Sequence, residues 1–537
     1  MSREPQAFIT IDRGSATVAV SLLGRIAGRW RLLGSLAVPE VVPDAAVIER
    51  IRDRLEQLDP ALAHDLGLAR EGSAADLPRL ASTTSRPPEM AVVAATERVL
   101  EPLAAVASMA GWRVRPLVLD GAEILPIASV LADPRVTVVL AGASEPPGPD
   151  ERSLMPNLGA LVAAATERRP DLVTVLAGGL AEPGGRIESL FRPDRPGPTV
   201  LAPSALAGDG EPLRELLDGL RGGEHDGRRS LAVASGTLAE VLRRRIEVLE
   251  IGQTAGVRIC AVPQPGRPPT VRWAVVPAAA LLPPSFTDGH LDAVMAWLTA
   301  PLDRLRVRDR LRDLALAPWS DAIGDGALIR LAAARSALER LDEATPGLGA
   351  LPAPDLVVAA GGAWAAAPAT VVALALADTV RRPGIRAMGL DHARLLAPLG
   401  TIDDEDERRR VIADLRDDLL VPLGSIVLPG GLRGGRHLGT LTVRGAGMAT
   451  PIAVDLVPGG LELVDLPPGE VATVELALRD AVDLGVRTRH AAAEVTGGLA
   501  GLIVDLRDVP LRLPDRPEPR RELLASWQQA LWPGFGA

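Results

Sequence analysis

One pattern occurs twice in this 537-residue chain: three apolar, β-prone runs separated by turns, with an acidic residue and a glycine at the first turn. In the first copy the runs are Phe8–Asp12, Ala16–Leu23 and Trp30–Val38, divided by Arg13-Gly14-Ser15 and by residues Gly24–Gly28. In the second they are Glu247–Ile251, Val257–Val262 and Val271–Val276, and the first turn is Gly252-Gln253-Thr254-Ala255-Gly256. Short β-prone runs divided by glycine turns read as antiparallel hairpins. Their recurrence predicts an internally duplicated molecule with a cleft between its halves.

Between the two copies, Met90–Ala95, Arg98–Ala110 and Val114–Asp120 read as strand, helix and strand, and Val136–Ala141, Leu158–Arg168 and Leu172–Ala177 repeat the order. Such βαβ units predict parallel pairing in a helix-covered sheet. A helix over Pro43–Leu58 precedes them, and the loop-rich Pro183–Pro198 follows. Leu231–Ala234 reads as a strand and Thr237–Leu242 as a helix, with Ser235-Gly236-Thr237 as the cap between them,. Residues Leu291–Leu341 read as helical, with Asp288 as a cap and Arg304, Arg308 and Arg312 on a solvated face,. From Gly424 onward, glycine pairs such as Gly434-Gly435 punctuate short runs including Leu438–Val443, Ile452–Val457 and Val471–Leu478, which predicts a small β-sandwich or barrel,. Pro519–Leu531 reads as an amphipathic helix that covers an open sheet edge. The expected class is α/β, divided as 1–240, 241–423 and 424–537.

Composition removes several alternatives. The chain contains no lysine and no tyrosine, so a Schiff base, a lysine general base and a P-loop lysine are all excluded,. Its formal net charge of -10 is spread along the sequence without a basic tract, which argues against nucleic acid as a partner,. Cys260 is the single cysteine; it excludes an intrachain disulfide and fits a reducing, cytoplasmic setting, and it reads as a small buried hydrophobe,. No signal peptide is visible at the N-terminus, and the longest apolar stretch, Leu356–Val380, is broken by Gly361-Gly362 and Pro368, so no membrane association is expected,. The histidines His64, His225, His290, His392, His437 and His490 fall in no metal-binding spacing; His392, beside Asp391, reads as a capping or surface residue,.

Three segments carry candidate chemistry. In the first turn, Asp12, Gly14, Ser15 and Thr17 combine a carboxylate able to hold a hydrated Mg2+ ion, a glycine that lets a phosphate approach the backbone, and hydroxyl donors,. Glu250, Gly252 and Thr254 occupy the matching turn of the second copy, which places a second carboxylate on the opposite wall. Asp355–Gly362 reads as a strand running into the Gly361-Gly362 turn ahead of a helix, where a flat ring can lie against bare backbone with its phosphates near a helix N-terminus,. Each turn has a purely structural explanation, since Asp and Gly are common turn residues. No catalytic base stands out.

Together these segments resemble the phosphate and adenosine signatures of the actin, sugar-kinase and Hsp70 superfold, a two-lobed fold built from duplicated ribonuclease H-like units. More narrowly, the chain resembles the glutamate mutase accessory family called MutL, unrelated to the mismatch-repair protein of that name. The likeness runs through FITIDRGSATVAVSL, VTVVLAGASEPPGPD, LEIGQTAGVRICA, DLVVAAGGAWAAAPATVVALALADTVRRPG and GLDHARLLAPLG. It implies an actin-like ATPase fold with a β-rich C-terminal domain, and an ATP-binding accessory protein that serves an adenosylcobalamin-dependent mutase. Departures accompany it. Where the family has Thr, Thr and Lys after the first turn, this chain has Ala16, Val18 and Ala19; Gln253, Ala255, Gly256 and Val257 replace Gly, Thr, Thr and Asp in the second. Fewer donors and one carboxylate less should lower phosphoryl transfer more than binding, so ATPase activity is expected to be weak or absent. ATP and Mg2+ are the only cofactors this reading admits. A degenerate, non-catalytic scaffold working through a protein partner is the alternative.

Overall fold

The computed structural model describes residues 6–68, 77–180, 199–221, 226–283, 286–317, 324–349, 351–365, 367–432, 437–445, 447–448 and 450–531. In the first unit, β1 (Ala7–Arg13), β2 (Thr17–Ile26) and β3 (Arg29–Pro39) form an antiparallel meander. After α1 (Asp44–Leu58) and α2 (Pro60–Asp65), β4 (Arg79–Thr83) returns parallel to β1, giving the order β3-β2-β1-β4. Alternation explains the packing: Ile9, Ile11, Val18, Val20 and Leu22 meet the α1 stripe of Val47, Ile48, Ile51 and Leu55 in one core,.

The βαβ segments then build a sheet of their own. β5 (Glu89–Ala94), α3 (Glu97–Met109), β6 (Arg113–Val118), α4 (Ile124–Ala132), β7 (Val136–Ala143), α5 (Pro149–Arg168), β8 (Val173–Gly178), β9 (Thr199–Ala202) and α6 (Glu211–Arg221) follow one another. The five strands are all parallel, in the order β6-β5-β7-β8-β9, with an apolar cluster on each face,.

One helix, α7 (Gly227–Leu242), leads to the second unit, and here the sequence reading is corrected. Leu231–Ala234 is not a strand, and Ser235-Gly236-Thr237 is not a cap; both lie inside α7. The four-residue run Leu231–Ala234 is too short for periodicity to tell a helix from a buried strand; in the full α7 the exposed Arg229 and Val233 recur at helical spacing,. Gly236 serves close packing, because a Cβ there would lie 2.8 Å from Val271 Cγ2.

The second unit repeats the first. β10 (Ile246–Ile251), β11 (Gly256–Gln264) and β12 (Arg267–Val276) form a meander. The helices α8 (Asp288–Ala296), α9 (Arg304–Leu316), α10 (Gly324–Ala344) and α11 (Pro346–Gly349) precede β13 (Leu356–Ala360), which pairs parallel with β10. The order β12-β11-β10-β13 therefore matches β3-β2-β1-β4. The cap of α8 is Thr287 rather than Asp288: Thr287 Oγ1 accepts from His290 N at 3.3 Å.

Next come α12 (Ala369–Thr379), β14 (Gly384–Leu390), α13 (Leu396–Leu399), α14 (Glu405–Asp414) and β15 (Val421–Leu428). The chain ends with β16 (Gly439–Gly445), β17 (Ile452–Leu456), β18 (Leu461–Val464), β19 (Val471–Asp483), β20 (Arg487–Thr496), β21 (Leu502–Asp505) and α15 (Pro517–Leu531). Residue 424 falls within β15, and β14, β15, β21 and β18 extend the second unit to an eight-stranded sheet. The remaining strands form an antiparallel sheet in the order β17-β16-β19-β20, while α15 packs against the edge strand β18 and against α12. This is the two-lobed, duplicated α/β architecture with a β-rich C-terminal region. Phe8 and Leu23 of the first sheet share one core with Leu231 and Leu238 of α7, Val248 of β10 and Leu396 of α13, which joins the lobes. Among the described residues, no helix is long and apolar enough to cross a membrane. Pro183–Pro198, His225 and Gly434-Gly435 lie outside the described residues.

Candidate functional site

The duplicated strand order places two equivalent turns face to face. Gly14 N donates to Thr17 O at 2.9 Å between β1 and β2, and Gly252 N donates to Ala255 O at 3.0 Å between β10 and β11. Within these turns the N–H groups of Ser15, Ala16, Gln253 and Thr254 have no backbone acceptor among the described residues. The strand-to-helix turn after β13 closes the third side. Gly361 holds φ at +96°, where a Cβ would lie 2.5 Å from Ile251 O, and a Cβ on Gly362 would lie 3.3 Å from Thr17 Oγ1. Glycine at 361 permits the close approach to Ile251 within the second lobe, and Gly362 brings the turn against Thr17 of the first,.

Gly14, Ser15, Thr17, Glu250, Gly252, Thr254 and Gly362 all line one cavity between the lobes. Only about 40 Å³ of it is open to the centres of water molecules. Gly361 is not in the lining; a Cβ there would lie 2.9 Å from Glu250 Cγ, so it packs behind that wall. Asp12 sits one layer deeper, 8% exposed, where Ser82 Oγ donates to its Oδ1 at 2.9 Å. Among the described residues no histidine lines this cavity; His392 is exposed, whereas its neighbour Asp391 accepts from the N–H groups of Leu395 and Leu396 at the start of α13.

Three cavity-lining arginines were not singled out from the sequence: Arg228 near the start of α7, Arg330 on α10 and Arg394 just before α13. Arg394 bridges the lobes. Its Nε donates to Asp12 Oδ2 at 2.6 Å, its Nη1 to Thr17 Oγ1 at 2.8 Å and its Nη2 to Asp12 O at 3.3 Å. Arg394 does so with φ at +54°, a left-handed conformation that a bulky side chain adopts only where its surroundings hold it there,. Arg228 Nη2 reaches Ser85 O at 3.2 Å and Thr254 Oγ1 at 3.4 Å, while its Nη1 is buried without a hydrogen-bond partner. An arginine on a helix is ordinarily a solvated side chain, so nothing in the sequence marked Arg228 or Arg330, and Arg394 was carried only as part of GLDHARLLAPLG.

Charge and burial oppose one another in this cleft. Burial pushes the Glu250 carboxyl up to about 7; Arg228 and Arg394 pull it down and Asp12 raises it. Glu250 Oε2 is shielded and has no hydrogen-bond partner. Burial also pushes Asp391 up to about 7, against the pull of its two backbone donors. Arg228 is depressed by the same desolvation,.

The sequence pairs Asp12 and Glu250 as carboxylates for Mg2+. Both oxygens of Asp12 are engaged, one by the Ser82 hydroxyl and the other by the Arg394 guanidinium. Among the described residues, no group of three or more His, Cys, Asp or Glu side chains is placed to hold a metal ion. As arranged, the donor set does not fit a divalent ion at Asp12, since the ion would have to displace Arg394 and lie among three guanidinium groups,.

No protein-family model matches the chain, and no curated protein matches it either. Among solved structures it is similar to component A of the (R)-2-hydroxyglutaryl-CoA dehydratase of Acidaminococcus fermentans, at 9% identity over 75% of this chain and 98% of that one, with a TM-score of 0.26. The activator of the 2-hydroxyisocaproyl-CoA dehydratase from Clostridium difficile with bound ADPNP is similar at 10% identity over 75% and 96%, TM-score 0.28. A carbohydrate kinase from Novosphingobium aromaticivorans is similar at 17% identity over 77% and 99%, TM-score 0.24. At TM-scores this low the likenesses carry no argument about this chain, and its fold class rests on the repeated strand order.

Proposed function

We propose that this chain is a nucleotide-responsive accessory protein that takes a nucleotide's phosphates between the 14–17 and 252–255 turns and turns it over slowly or not at all. One observation carries the reading: the three segments singled out by sequence, far apart along the chain, line a single inter-lobe cavity. Backbone N–H groups without acceptors and the hydroxyls of Ser15, Thr17 and Thr254 are suited to phosphate oxygens,. A nucleotide needs a pocket of roughly 300 Å³ or more, so the lobes must part for it to enter. Binding therefore requires the lobes to move, and nucleotide and lobe position are coupled,. Weak turnover follows from the absence of an assigned base and from the donors replaced at positions 16, 18 and 19. The partner, an adenosylcobalamin-dependent mutase met in the cytoplasm, is carried over from the MutL resemblance alone.

The narrowness of the closed cleft favours a second reading, a scaffold that keeps the fold without binding nucleotide. Thermal denaturation with ATP and with ADP separates the two. A ligand at about 100 times its Kd adds about 2.7 kcal/mol and raises Tm visibly. No shift with either nucleotide leaves the scaffold.

A further inference from the structure

We infer that Arg394 stands where this cleft would otherwise hold a divalent cation, so that the phosphate of its ligand binds without Mg2+. The inference rests on the reading of the cleft as a phosphate site and adds how the ligand's charge is met.

Arg394 already neutralises Asp12. It is 8% exposed and donates to both the Asp12 carboxylate and the Thr17 hydroxyl, spanning the two lobes. A divalent ion can reach Asp12 only by expelling that guanidinium into a cavity where Arg228 and Arg330 repel it. The second observation is Arg228, 2% exposed and lining the cavity, whose Nη1 has no hydrogen-bond partner among the described residues. A buried donor without an acceptor is an unfavourable state that an anion relieves. Arg228 and Arg394 stand in the lining beside the single carboxylate Glu250. Guanidinium forks also match the spacing of phosphate oxygens, which a compact ammonium does not. The roughly 40 Å³ open to water centres holds a few water molecules, the size of one tetrahedral oxoanion,. That oxoanion is a free phosphate ion or the terminal phosphate of a nucleotide.

The experiment is calorimetric titration of the full chain with ATP and, separately, with inorganic phosphate, in excess EDTA and again in Mg2+. The expected result is binding of at least one probe with the same affinity in both media; phosphate binding points to the free ion, ATP binding alone to the nucleotide's terminal group. Binding that appears only with Mg2+ overturns the inference and leaves the nucleotide reading standing. Absence of binding by any phosphate compound in either medium overturns both. In Arg394→Gln, metal-free affinity should fall about ten- to hundredfold, and Mg2+ should restore it because Asp12 is then free to hold the ion. Should the stranded Asp12 prevent folding, the double variant Asp12→Asn, Arg394→Gln removes both partners and should lose metal-free binding with no rescue by Mg2+. Unchanged metal-free affinity in whichever variant folds overturns the assignment of Arg394.

Discussion

Replacing Glu250 with glutamine should stabilise the protein in alkali and change it little in acid. Burial lifts this carboxyl from its ordinary 4.5 to about 7. An acid whose folded-state pKa is raised keeps its proton in the fold where the unfolded chain has lost it. Stability is therefore full below pH 4.5, falls as pH rises toward 7, and levels off above that with the whole cost expressed. A shift of about 2.5 units at about 1.4 kcal/mol per unit amounts to about 3 kcal/mol, of which roughly 2–3 kcal/mol falls between pH 5 and pH 8. Glutamine keeps the shape and removes the charge. Urea denaturation of both proteins at pH 5 and pH 8 isolates this contribution, because other titrating groups such as Asp391 cancel in the difference. The variant's advantage should grow by about 2–3 kcal/mol between the two pH values at equal m-values. An advantage of the same size at both would refute the picture of a half-buried carboxyl whose charge the cleft disfavours.

Gly400→Ala should cost about 1–3 kcal/mol or more in urea denaturation, since its Cβ would lie 1.9 Å from Ser230 O where the end of α13 meets α7,. Gly219→Ala, in α6 with nothing within 4 Å of the added carbon, should instead stabilise by about 0.5–1 kcal/mol; the same sign for both would contradict the packing,. Arg507→Met should cost about 3–5 kcal/mol, because Arg507 is 1% exposed and ties Asp378 of α12 to Asp505 of β21 at 2.6 Å each,. A loss within about 1 kcal/mol would show that the buried pair is dispensable. Burial, aided by Glu247, pushes the Cys260 thiol up to about 12, so a maleimide at pH 8 should label the native protein far more slowly than the urea-unfolded chain, as read by mass spectrometry,. Equal rates would refute its burial.

The duplicated meanders were legible because local chemistry writes them: alternating apolar residues, glycine turns and an acid at the same offset in each copy. Asp12, Glu250 and the Gly361-Gly362 turn could be found for that reason. The arginines that set the cleft's charge were not, because nothing within a few residues of Arg228 or Arg394 tells a buried guanidinium from a solvated one; each owes its role to the opposite lobe. Arg394 meets Asp12 across 382 positions of sequence. In α7 the misreading came from the shortness of the run Leu231–Ala234, over which period cannot separate a helix from a strand,. The parallel strands β5 to β8 were individually visible and β9 was not, and their assembly into a separate sheet depends on long-range pairing that βαβ patterning does not specify.

Hydrogen exchange of the whole protein with and without ATP tests the shared cleft most directly. If the two turns hold one ligand, the amides of residues 14–17, 252–255 and 361–362 should gain protection together on adding ATP. Protection of one turn without the other, or none at saturating ATP, would contradict a phosphate site formed between the two halves.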